Sequence, residues 1–300
     1  MIEIKVPATS ANIGSGFDSL GLAVDLYNKV WMKESDVVSI SSTDGTRIPT
    51  GTNNLVYKTA QHLFDECGKK LHGLKILQEN NVPMTRGLGS SSACIVAGLV
   101  GANHLLGNPL SESELVDFAA SLEGHPDNST PALLGGLVTA AISDGHVYYV
   151  KQEIKNDIRL AAFIPEFELS TAKARGALPK TIDHKDGVFN LSRSALMSVS
   201  MSAGKYENLR IACQDKLHQP YRLSLIRDAD KVFDAAYDMG AYAAYISGAG
   251  STLMAFYDCH DECFEKKMTE AFAQRGIHGY KIKLLNVDNV GTTLSEVADI

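Results

Sequence analysis

Eleven consecutive residues, Pro83-Met84-Thr85-Arg86-Gly87-Leu88-Gly89-Ser90-Ser91-Ser92-Ala93, hold the densest chemistry in this 300-residue chain. Two glycines one residue apart permit backbone geometry that a Cβ would forbid, so several N–H groups can converge on one anion. Three serines then open an apolar run that reads as a helix, adding hydroxyls and the positive end of its dipole. That end stabilises an exposed charge by about 0.3–1 kcal/mol and a partly buried one by about 2 kcal/mol. This is too little for a polyphosphate, so a metal ion is required as well. The pattern lacks the Lys-Ser/Thr pair of the Walker loop and the third glycine of the dinucleotide fingerprint. In isolation, a Ser/Gly turn capping a buried helix would read the same way.

Two further segments carry polar groups at close spacing. Glu123-Gly124-His125-Pro126-Asp127-Asn128 packs two carboxylates, an imidazole and an amide into six residues. Oxygen ligands of this kind suit magnesium, which takes one or two carboxylates beside phosphate oxygens, and Glu123 fits that part. Ile246-Ser247-Gly248-Ala249-Gly250-Ser251 has glycines that let backbone approach a ligand or another domain closely, although an ordinary tight hairpin is the plainer reading.

Elements must hold these segments in place. Ile2, Ile4 and Val6 alternate with polar residues and predict a strand ended by Pro7, with residues 8–16 a loop. A strand is expected over 36–42. A helix follows Asn53 or Asn54 as N-cap and stops at Gly68. A buried helix is expected from Ser90 to Leu106. Ser111-Glu112-Ser113-Glu114 is a capping box opening a helix with Leu115, Phe118, Ala119 and Leu122 inward. The pattern changes near residue 150. Strands are expected over 148–150 and 160–164, then helices from about 187 to 239. The last of these carries Leu225, Ala229, Val232, Phe233 and Ala236. Strands over 241–247, 252–257 and 280–287 follow, with a helix over 261–275 between the last two.

Composition narrows the classes. Net charge is −7 and no run of five basic residues occurs, which argues against nucleic acid as a partner. The five cysteines are odd in number and form no CxxC pair, which argues against both a disulfide framework and a structural zinc site, and Cys259–Cys263 reads as a turn entering a helix. Neither a signal-like apolar N-terminus nor a span of 18 apolar residues is present, so a soluble, cytoplasmic protein without membrane contact is expected.

With Pro7-Ala8-Thr9-Ser10-Ala11-Asn12-Ile13-Gly14-Ser15-Gly16-Phe17-Asp18 ahead of them, the three segments resemble, in this order, the GHMP kinase superfamily. The stretch Ala11–Asp18 resembles its homoserine kinase branch; the sugar and mevalonate kinases carry a Lys- or Arg-containing form there. The likeness spans residues 7 to 251. It implies an ATP- and Mg²⁺-dependent phosphotransferase with an alcohol acceptor, L-homoserine, giving O-phospho-L-homoserine in threonine biosynthesis. A mevalonate- or shikimate-type acceptor is the alternative, and a silent relative that binds a metabolite and signals through a partner is a reading from another class. The implied fold is two-domain α+β. A GHMP N-terminal domain over 1–152 would carry a left-handed βαβ crossover against the right-handed default, and a ferredoxin-like domain would follow over 153–300. A homodimer is the family's expectation.

The resemblance also implies a site. ATP would lie on Pro83, Arg86, Gly87, Leu88, Gly89, Ser90, Ser91, Ser92 and Ala93, with its base near Asn54 and Leu55. Mg²⁺ would sit by Ser91 and Glu123. Asp18 and Asn12 would take the amino end of homoserine, Arg175 and Arg222 its carboxylate, and His125 and Asn128 the hydroxyl-bearing chain, with Thr171 and Gly248 beside it. The guanidinium fork suits a carboxylate, although surface salt bridges are the plainer reading of two arginines. Asn12 and Asn128 would aim the hydroxyl, while Asp127 stands where relatives have been assigned a base. Ser251 departs from the common proline of the third motif, which puts the stiffness of that loop in question.

Overall fold

The alternation at Ile2, Ile4 and Val6 does make a strand, and it runs past Pro7. In the computed structural model, which describes residues 1–299, β1 (Ile2–Ala11) pairs antiparallel with β2 (Leu20–Glu34), and the register shifts between Pro7 and Ala8. A residue without an N–H is tolerated at such a bulge, so the expected loop over 8–16 shrinks to a turn after Ala11. β2 had no counterpart in the sequence reading. Its first five residues are all buried, so it shows no alternation there to betray a strand.

β3 (Ser39–Ser42), shorter than expected, pairs in parallel with β4 (Leu74–Asn80), and α1 (Leu55–Glu66) makes the crossover. Asn54 caps α1 by accepting from the N–H of Val56 and Tyr57. α2 (Ser90–Leu105) is buried along most of its length, as its small apolar residues require. The capping box at Ser111 forms and opens α3 (Glu112–Glu123). Leu122 does not face inward: it is exposed, and Val116 and Ala120 join Leu115 and Ala119 on the buried face. After α4 (Ser129–Leu134) come β5 (Leu137–Ser143) and β6 (His146–Gln152).

The second half begins with β7 (Ile158–Pro165). Helices α5 (Thr171–Gly176), α6 (His184–Ala203), α7 (Leu209–Ala212), α8 (Gln219–Arg222) and α9 (Ala229–Asp238) follow. Leu225 lies outside α9, in a short 3₁₀ turn, because Asp228 at φ 57° separates the two. The chain ends through β8 (Ala243–Ile246), β9 (Leu253–Asp258), α10 (Phe264–Gln274), β10 (Tyr280–Leu285) and β11 (Thr293–Glu296).

Two sheets result. Among the described residues the first runs β11-β1-β2-β4-β3, with β5 pairing β2 and β6; the second is antiparallel and runs β10-β7-β9-β8. With α9 before β8 and α10 before β10, the second is the ferredoxin-like βαββαβ arrangement. Residue 152 ends β6, and the last strand returns across that point to pair with β1. One apolar cluster contains Ala8, Leu20 and Leu22 from the first sheet together with Leu160, Tyr245 and Phe256 from the second. The two sheets therefore share a core, which fixes the cleft between them.

Candidate functional site

The phosphate-type loop is held on both sides. Gly87 (φ +75°) lies against the Ser247 and Gly250 carbonyls, where a Cβ would fall 2.2 and 2.8 Å from oxygen. Gly89 (φ +70°) caps α2 without a side-chain bond, and a Cβ there would fall 2.0 Å from Thr9 Oγ1. Thr9 in turn holds the loop by backbone, its N–H donating to Leu88 O at 3.2 Å. The opening N–H groups of α2 have no intrahelical acceptor, as at any helix start, and face a cavity of about 360 Å³.

Sixteen of the residues named from sequence line this cavity: Asn12, Asp18, Arg86, Gly87, Gly89, Ser90, Ser91, Ser92, Glu123, His125, Asp127, Asn128, Thr171, Arg175, Arg222 and Gly248. Asn54, Leu55, Pro83, Leu88 and Ala93 are not on its wall. Leu88 and Ala93 are core side chains. Asn54 is buried and fully engaged, donating to Pro49 O and Gln78 Oε1 while capping α1. Arg86 reaches the wall, yet its fork donates to Pro165 O (3.0 Å), Met84 O (2.9 Å) and Glu166 O (2.8 Å). That ties the loop to the end of β7.

The acidic end is built from α3 and the turn after it. Ser92 Oγ donates to Glu123 Oε1, so the hydroxyl on this carboxylate is one residue past Ser91, which stays exposed on the wall. Glu123 Oε2 is buried with no partner among the described residues, and burial pushes this carboxyl upward against the Ser92 bond. A buried carboxylate oxygen without a donor, beside serine hydroxyls at a helix start, is an all-oxygen set that fits Mg²⁺. Asp127 is 2% exposed and its Oδ1 lies 2.6 Å from His125 Nδ1. Burial opposes a charge on His125, but Asp127, with Glu123 and Asp18, outweighs it and raises its pKa. Asn128 Oδ1 accepts from Thr9 Oγ1 at 2.9 Å, leaving its Nδ2 as the donor on the cavity side.

Across the cavity the charges change sign. Arg175 grips Asp18 through two parallel bonds of 2.8 and 3.1 Å. Arg222, 1% exposed, donates to Gly248 O (3.0 Å) and Ala174 O (3.4 Å). Among the described residues no carboxylate lies within 4 Å of it. Burial first, and the charge of Arg175 second, bring its pKa down to about 10, so it stays charged. Asn12 (φ 69°) links the first and third motifs, donating to Gly248 O (2.8 Å) and accepting from the Asp18 N–H. Ser251 donates to Phe167 O at 3.0 Å, so the departure from proline adds a tether to the third loop.

Sequence reasoning passed over several participants. Phe17 stacks on His218 with ring centres 5.2 Å apart, and both guanidiniums lie within 6 Å of its ring centre. Thr85, Ile95, Leu122 and Ala249 also line the cavity. Phe17, Thr85 and Ala249 stood inside segments already singled out, without an assigned role, and Leu122 was expected to face the core; His218 and Ile95 were given no part.

Comparison with known proteins agrees with this geometry. Residues 54–136 match the GHMP kinases N terminal domain family, and residues 200–277 the GHMP kinases C terminal family. The chain is 47% identical to the homoserine kinase of Clostridium beijerinckii, over 99% of each chain. It is 45% identical to that of Caldicellulosiruptor bescii, over 99% of this chain and 98% of the relative. The crystal structure of homoserine kinase from Cytophaga hutchinsonii superposes with a TM-score of 0.87 at 30% identity, covering 98% of this chain and 97% of that one. Mevalonate kinase from Methanococcus jannaschii shares the fold at 14% identity, with a TM-score of 0.69 over 96% and 98% of the two chains.

Proposed function

The chain belongs to the GHMP kinases and, among them, to the homoserine kinase family, and from that premise we propose that it transfers the γ-phosphate of ATP to the hydroxyl of L-homoserine. The observation that carries the choice of acceptor is one wall of the cavity. A carboxylate, Asp18, and two guanidiniums, Arg175 and Arg222, stand together opposite the Gly87–Ser92 loop. A zwitterion offers each the opposite charge, and its ammonium and carboxylate can replace the Asp18–Arg175 contacts with their own. Mevalonate and shikimate carry the carboxylate but no amine, and would leave Asp18 uncompensated on their arrival.

Phosphoryl transfer asks a protein for alignment and charge neutralisation. The Gly87–Ser92 backbone and the positive end of α2 receive the triphosphate. Mg²⁺, held by Glu123 with the Ser91 and Ser92 hydroxyls, would neutralise phosphate charge there. Asn128 Nδ2 donates toward the acceptor hydroxyl oxygen, while Asn12 fixes Asp18 and Gly248 through its two amide bonds. Asp127 spends one oxygen on His125, so we assign it to orienting that ring, and the acceptor proton leaves with the phosphate oxygens.

The test is ADP release with L-homoserine, mevalonate and shikimate in parallel, with the product read by ³¹P NMR. O-phospho-L-homoserine is expected from the first alone. Comparable turnover of an acceptor without an amine would overturn the proposal.

A further inference from the structure

We infer that His218 is a positioning residue for the amino-acid site, accepting a hydrogen bond that aims the Arg222 guanidinium into the cavity. The imidazole is fully buried, with Nε2 2.7 Å from Gly14 O and Nδ1 3.2 Å from Arg222 Nη1. A carbonyl can only accept, so Nε2 carries the hydrogen. A guanidinium can only donate, so Nδ1 keeps its lone pair. Both sides of the ring demand the same neutral tautomer.

The local chain explains how the ring is set. Asp215 caps α8, its Oδ2 accepting the N–H of His218 (2.8 Å) and Gln219 (2.6 Å), and its Oδ1 that of Leu217 (3.0 Å). Asn190 Nδ2 anchors Asp215 from α6 at 2.8 Å. His218, which immediately precedes α8, and Arg222 at its end then stand four residues apart, one turn that Arg222 N–H closes on His218 O at 3.1 Å, so their side chains meet. Phe17 closes the ring from the opposite side. The charged groups around the ring are Asp215, 3.6 Å from Nε2, Arg222 at Nδ1, and Asp18 further along the cavity wall. Burial, with the charge of Arg222, holds the ring neutral against the two carboxylates. Arg222 is thereby fixed by one imidazole and two carbonyls, all neutral acceptors, so its charge remains for a ligand.

This inference rests on Arg222 receiving the substrate carboxylate, and the experiment separates the two. Steady-state constants for both substrates are measured for Arg222→Leu, His218→Asn and His218→Gln. Asparagine keeps an acceptor where Nδ1 stands and loses the bond to Gly14; glutamine does the reverse. We expect Gln to raise the homoserine KM about 10–100-fold with the ATP KM within about threefold, and Asn to stay within about threefold on both. Equal homoserine KM values for Asn and Gln, or an ATP KM that rises as far, would overturn the inference. If Arg222→Leu leaves the homoserine KM unchanged, the carboxylate site itself is wrong. If it raises that KM and His218→Gln does not, only the inference fails. ¹⁵N NMR of the unaltered protein at about pH 7.5 requires no variant to fold: an unprotonated Nδ1 is expected, and a protonated one excludes the contact.

Discussion

Asp127 lies 2.6 Å from His125 Nδ1 and is nearly inaccessible, so its role is open to direct measurement. A general base must reach the proton it removes. With Oδ1 committed to the imidazole, Asp127→Asn is expected to lower kcat by less than about tenfold, since an amide oxygen can still meet His125; a loss of about a thousandfold would make it the base. His218 sets a pH dependence of known sign. Its pKa in the folded protein lies below its ordinary 6.5, chiefly through burial. The unfolded chain therefore binds more protons between those two values, and the stability this ring contributes is full above about pH 6.5 and is lost as pH falls through the lowered value. Comparing the parent with His218→Asn cancels the opposing effect of His125. The stability gap between them, read by urea unfolding, should narrow from pH 8 toward pH 5.5; a gap that widens would mean the ring is charged.

At the scale of elements, the start of α2 is where backbone conformation and function meet. Gly89→Ala must hold φ +70° and push a methyl into Thr9 Oγ1, which also holds Asn128. The left-handed conformation alone costs about 1–2 kcal/mol, and the clash adds to it. Gly107, beyond the other end of the same helix, also has positive φ but has open space around it. Gly107→Ala should lose about 1 kcal/mol with unchanged kinetics, while Gly89→Ala should lose more and raise the ATP KM at least about tenfold. Thermal melts and ATP titrations of the pair check this. Identical kinetics would mean the loop does not touch phosphate.

The whole molecule depends on fastening the phosphate loop to the second sheet. Arg86 donates to Pro165 and Glu166 carbonyls, Thr252 N–H returns to Arg86 O, and Ser247 Oγ donates to Gly87 O at 2.6 Å. Bonds from a charged donor contribute about 1.5–3 kcal/mol each, so Arg86→Ala should destabilise by about 2 kcal/mol and lower kcat/KM for both substrates together. An ATP KM that rises with stability unchanged would make Arg86 a direct nucleotide contact instead. No helix among the described residues is long and apolar enough to cross a membrane.

What the sequence determined by itself was local. The N-cap at Asn54, the capping box at Ser111, the opening of a helix at Ser90 and the three glycine-bearing motifs each depend on residues within a few positions of one another. The start of β2 was hidden because burial on both faces there removes the alternation that marks a strand, and the strand through Pro7 because a bulge has no signature of its own. Tertiary structure alone decided which donors face the cavity. Thr9 reaches Asn128 across 119 residues, Asn12 reaches Gly248 across 236, and Gly14 meets His218 across 204. Such pairings follow from how turns, helices and the two sheets pack on one another, and no local pattern records which side chains that packing will bring together.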